Sequence, residues 1–96
     1  MKTPSGKDTS GKGTTRRMDE EGLKLLGQRL KEIRKQKNMS QEDLADTSGL
    51  ALSQIGRIER GVINATLSSV FALCRALDIE VAELMNFKLD KQDSTK

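Results

Sequence analysis

The sequence predicts an all-α fold, a compact five-helix bundle, and three observations carry that prediction. Apolar residues recur three and four apart through most of the chain, and no stretch alternates for long enough to make a strand. Residues that start and stop helices punctuate the pattern, namely Ser40, Gly49, Gly61 and Thr66. Thirty-one hydrophobic residues fall within residues 18–88, a normal share for one globular core, while residues 1–17 contain only Met1 and residues 89–96 only Leu89. The expected organisation is a disordered basic arm over residues 1–18, a helical domain over 19–87 and a polar tail over 88–96.

The first helix is expected over residues 19–38, with Leu23, Leu26, Leu30 and Ile33 on one face, basic residues opposite and Asn38 as its stop. Ser40 followed by Asp43 reads as a capping-box start for a second helix, Gln41 to Thr47, with Leu44 and Ala45 inward. Ser48 and Gly49 end it, the glycine supplying a left-handed turn residue. The third helix runs from Leu52 to Arg60, with Ile55 and Ile58 inward and Gly61 as its stop. Gly56 lowers its helix propensity by roughly 1 kcal/mol relative to alanine, which suggests close helix packing or close backbone approach. Thr66 caps a fourth helix, Leu67 to Leu77, with Leu67, Val70, Leu73, Cys74 and Leu77 on one stripe. Asp78 breaks it, and a short fifth helix spans Val81 to Asn86 with Leu84 inward. Phe71, Met85 and Phe87 read as core filling or as a dimer patch.

Composition excludes several function classes. With no histidine and a single cysteine, Cys74, the chain lacks the usual nucleophile–base pairs, a thiolate metal cluster and an intrachain disulfide. No cofactor and no metal are expected. No apolar run reaches membrane-spanning length and no signal-peptide core is visible, so the expected setting is a reducing cytoplasm, in association with the nucleoid. The formal charge of +3 is unevenly spread. Residues 1–17 carry +4, residues 24–37 carry +5 and residues 78–93 carry −3, a polarity suited to orienting on a polyanion.

The second and third helices form the informative pair. Two short helices on a tight glycine turn cross steeply, so the second of them projects from the surface. A projecting helix fits the major groove of B-DNA. On its outer face Leu52 suits a thymine methyl, Ser53 several bases, Gln54 adenine and Arg57 guanine. Gln41, at the start of the second helix, suits a phosphate, and Arg60 and Asn64 are placed to hold the next phosphates.

The segment from Ser40 to Gly61, with its Ser-Gln-Glu-x-Leu-Ala start, Ser-Gly turn and Ile-Glu-Arg-Gly end, resembles the lambda-repressor-like helix-turn-helix family, the XRE or Cro/cI type. The resemblance covers roughly residues 22–86. It implies the five-helix fold, base contacts at Leu52, Ser53 and Arg57 with Gln54 near bases or backbone, and phosphate contacts at Gln41, Arg60 and Asn64. It also implies a buried ion pair between Arg34 and Glu59. Two positions depart from the pattern. Ala51 stands where a capping Ser or Thr is usual, and Leu52 where a polar base reader is usual. The function expected is a sequence-specific, double-stranded-DNA-binding transcriptional regulator, a homodimeric repressor or autoregulator. The alternative is a protein-binding adaptor or antitoxin-like module on the same fold, which would act through a protein partner.

Overall fold

The computed structural model describes residues 18–91 and contains five helices: α1 (Glu20–Gln36), α2 (Gln41–Ser48), α3 (Leu52–Arg60), α4 (Leu67–Leu77) and α5 (Val81–Leu84). Among the described residues there is no strand. The all-α, five-helix expectation therefore holds. Residues 1–17 of the expected arm and 92–96 of the expected tail lie outside the described residues.

α1, α2 and α4 each start where a side chain can satisfy free amide groups. Asp19 accepts from the Gly22 amide at 2.9 Å. Ser40 and Asp43 form a reciprocal capping box: the Asp43 amide donates to Ser40 Oγ and the Ser40 amide to Asp43 Oδ2, both at 2.9 Å. The hydrogen bond from the Ser40 backbone, followed by that from its hydroxyl, lowers the Asp43 pKa below the ordinary aspartate value. Thr66 caps α4 by accepting from the Ser69 amide at 3.1 Å. Stops are equally local: Gly49 (φ 80°) follows α2 and Gly61 (φ 72°) follows α3, both left-handed.

Several helix ends differ from the sequence expectation. α1 stops at Gln36, because Asn38 turns left-handed (φ 59°) and the chain has already begun to leave the helix at Lys37. α5 is a single turn that ends at Leu84, short of Asn86, and its N-cap residue Glu80 makes no side-chain capping bond. α2 gains one residue, Ser48.

The core draws on every helix. Leu26, Leu30 and Ile33 of α1 meet Leu44 of α2, Ile55 and Ile58 of α3, Leu73 and Leu77 of α4, and Leu84 of α5. α1 lies against α3, α2 against α3 and α4, and α5 bridges α1 and α4. Arg29 strengthens that bridge by donating from Nε to the Glu83 carbonyl at 2.9 Å. Cys74 is buried, as expected of a small core residue, and burial raises its pKa. Leu67 corrects the expected α4 stripe. It is 66% exposed, so Ser69 and Val70 rather than Leu67 start the buried side of the helix.

Two helical glycines have opposite surroundings. A Cβ on Gly27 would strike the carbonyl groups of Ile58 and Glu59, so this glycine is what lets α1 lie directly on the end of α3. A Cβ on Gly56 would meet only the Arg60 guanidinium, at 3.2 Å, with no neighbouring helix in reach. The close packing expected at Gly56 therefore occurs at Gly27. Replacing Gly56 with alanine is expected to raise stability by about 0.5–1 kcal/mol, since the Arg60 side-chain end can move and alanine has less unfolded-state entropy to lose. Gly27→Ala is expected to lower it by about 3 kcal/mol, because backbone carbonyls cannot yield in the same way. Urea unfolding of both variants checks the opposite signs.

Candidate nucleic-acid interface

The α2–turn–α3 unit is set by local chemistry before tertiary packing. The Gly49 amide donates to the Ala45 carbonyl at 2.9 Å and the Leu50 amide to Ser48 Oγ at 3.2 Å, which closes the turn. Leu50 then packs against the core and Ala51 swings the chain into α3. Ala51 offers no side-chain cap, as its departure from the family pattern implies, yet α3 still starts at Leu52.

The inner side of α3 is fixed by Ile55, Ile58 and Glu59, all buried. Glu59 meets Arg34 of α1 in a paired contact: Arg34 Nε donates to Oε2 at 2.6 Å and Nη2 to Oε1 at 3.1 Å. The ion pair expected from the family resemblance is thus formed, and it is almost wholly shielded from solvent. Its remaining valences are also used. Arg34 Nη1 donates to the Met39 carbonyl at 2.7 Å, and Gln41 Nε2 donates to Glu59 Oε1 at 2.9 Å. The hydrogen bond to Glu59 raises the Arg34 pKa, against the opposing effect of burial. One ion pair therefore ties α1, the α1–α2 turn, the start of α2 and the end of α3 together.

The outer side of α3 is different in kind. Leu52, Ser53, Arg57 and Arg60 are all exposed. Among the described residues the only ion pairs are Arg34–Glu59 and Arg29–Glu32, so Arg57 is not paired with Asp46 or Glu59 and Arg60 has no acidic partner. Asn64 is exposed in the loop between α3 and α4. The structure thus leaves Ser53 and Arg57 one turn apart on an outward face, with Leu52 exposed at the leading end of α3 and Arg60 at its far end.

Gln54 and Gln41 stand apart from that grouping. Gln54 is half-buried, and its Nε2 donates to Ser69 Oγ on α4 at 3.1 Å. Ser69 Oγ also accepts from Thr66 Oγ1 at 3.1 Å, so Gln54 clamps α3 to the capped start of α4. Gln41 is likewise drawn inward, to Glu59. Sequence reasoning missed both partnerships. Ser69, a polar residue on an otherwise apolar stripe, was the visible signal for the first.

Comparison with known proteins agrees with this geometry. A family model described as helix-turn-helix (HTH_3) matches residues 30–84. The chain belongs to this helix-turn-helix family. It is 39% identical over 61 residues to the control protein C.SmaI of Serratia marcescens, covering 64% of this chain and 73% of that protein. It is also 39% identical over 64 residues to the control protein C.BamHI of Bacillus amyloliquefaciens, covering 66% and 79%. Among solved structures, the restriction-modification controller protein C.AhdI of Aeromonas hydrophila superimposes with a TM-score of 0.64 at 50% identity, over 65% of this chain and 94% of that one. The protein is a DNA-binding transcriptional regulator of the XRE type, with double-stranded DNA as its partner, and not an enzyme. These relatives do not favour the adaptor alternative. No helix of the described residues is long and apolar enough to cross a membrane.

The inner network predicts a separation of stability from recognition. Arg34→Met leaves the Glu59 carboxylate buried and without its cation, and is expected to cost about 3–5 kcal/mol. Arg57→Ala removes an exposed side chain and is expected to change stability by less than about 0.5 kcal/mol. Urea denaturation of the two variants side by side measures the difference.

Proposed function

We propose that this protein is a homodimeric, sequence-specific repressor or autoregulator that lays α3 in the DNA major groove. The observation that carries the reading is the outer side of α3: two arginines without acidic partners among the described residues, a serine and a leucine, presented by a helix whose inner face is locked to the core. Base edges in the major groove offer what those side chains can use. Arg57 suits the two acceptors of guanine, Ser53 can donate or accept, and Leu52 is apolar.

Phosphate contacts come from Arg60 and Asn64 at the far end of α3 and from Gln41 at the start of α2. For Gln41 the contact is through backbone amides of the first turn, because its side-chain amide is held by Glu59. Gln54 serves the base-reading face from behind, as the strut to Ser69.

A two-fold dimer follows from a second surface. Leu67 and Phe71 lie one turn apart on α4, Val81 and Met85 are four residues apart at α5, and all four are exposed. Phe71, Ile79 and Val81 line one groove of this surface, and Leu67, Met85 and Phe87 line another. Two copies joined here present two α3 helices to one duplex, as dimeric helix-turn-helix proteins do with half-sites about 34 Å apart. The likeness to two control proteins and to a restriction-modification controller protein supports an autoregulatory role. Its place of work is then the nucleoid, in the cytoplasm.

Arg57→Ala is expected to cost about 1–3 kcal/mol of specific affinity and to relax one base position per half-site. Arg60→Ala is expected to weaken all duplexes alike and to lower the salt dependence by about one counterion per contact. Selection from randomised duplexes, followed by salt titration, separates the two effects. Phe71→Glu places a charge on the apolar surface and is expected to halve the mass measured by light scattering while leaving the helical circular dichroism unchanged. A mass equal to that of the wild type would contradict the dimer surface.

A further inference from the structure

The leading end of α3 carries an unusual combination. Ala51 and Leu52 are both exposed, and Leu52 is 45% exposed at the first helical position. The amide of Gln54, which on sequence grounds suited adenine, is held against Ser69. The first turn of α3 is therefore left with Ser53 as its one outward polar side chain. Leu52 also lies outside the α4–α5 apolar surface, since it lines neither of the grooves there.

An isolated exposed leucine is ordinary on a protein surface. This one sits at the leading end of α3, next to Ser53, which shares a face with Arg57 one turn on. Among the groups that base pairs display in the major groove, one is apolar, the C5-methyl of thymine. Cytosine methylated at C5 displays the same group in the same groove. Burying one methyl group against an aliphatic side chain changes affinity by roughly four-fold.

We propose that Leu52 recognises the C5-methyl group of a pyrimidine in the major groove, so that the first turn of α3 reads thymine or 5-methylcytosine by apolar contact. This rests on the reading that α3 enters that groove. It deepens that reading by naming the chemical group at one position of the site. It also makes binding sensitive to cytosine methylation wherever the site places a cytosine against Leu52.

The test uses the full chain and a duplex selected from a randomised pool. Each thymine of the selected site is replaced in turn by uracil, which removes only the methyl group, and each cytosine by 5-methylcytosine, which adds only that group. The expected result is one position per half-site at which removing the methyl weakens binding roughly four-fold, or adding it strengthens binding by the same factor. Leu52→Ala is expected to bind with no such difference at that position, and Leu52→Met to recover it. A response to uracil alone assigns thymine as the source, and a response to 5-methylcytosine alone assigns the modified base; both support the proposal. Equal methyl dependence in the wild type and Leu52→Ala, or none in either, overturns it. Failure to select any duplex sequence removes the major-groove reading itself, and the proposal with it.

Discussion

The contact between Arg34 and Glu59 is the constraint on which the rest of the structure depends. An ion pair shielded from water loses more by desolvation than it gains unless every donor and acceptor is met. Here the guanidinium spans the Glu59 carboxylate and the Met39 carbonyl, and Gln41 completes the carboxylate. The network is worth little as net stabilisation, but it is specific. It accepts one orientation of α3 against α1 and one start for α2. Gly27 belongs to the same constraint, because any side chain there would push the end of α3, and Glu59 with it, away from α1.

That arrangement divides α3 between an inner and an outer side. Ile55, Ile58 and Glu59 bind the helix to the core, and Leu52, Ser53, Arg57 and Arg60 are left to solvent. The division keeps the cost of recognition low. On the proposed reading, the outward side chains need no rebuilding on binding DNA, because the helix that carries them is already fixed by α1 below and by the Gln54–Ser69 clamp at α4. It also lets the outer face vary without loss of the fold, so relatives of the same architecture can read different sites.

Much of this was legible in the residues. The limits of α3, the capping box at Ser40 and Asp43, the left-handed Gly49 and the cap at Thr66 follow from local chemistry, and local chemistry is what a sequence displays most directly. The pairing of Arg34 with Glu59 came from family resemblance, since no spacing rule brings residues 25 apart together. Side-chain partnerships across helices were not legible. Gln54 looked like a base reader and Gln41 like a phosphate contact, and both amides point to partners within the fold, because long polar side chains take whatever acceptor tertiary packing provides. Gly27 was overlooked for a related reason. It shares a stripe with Leu23, Leu30 and Arg34, yet only the position of α3 makes its missing side chain matter. Leu67 failed in the opposite direction, since it has the right spacing for the core but lies one turn beyond where α4 meets it.

On the proposed function, the outer side of α3 enters the major groove. Interference by base methylation measures it directly on a selected duplex, because N7 of guanine lies in the major groove and N3 of adenine in the minor groove. Methylation at guanine N7 is expected to block binding at two clusters on one face of the duplex, about one helical turn apart. Interference confined to adenine N3, or N7 methylation without effect anywhere in the site, would contradict it.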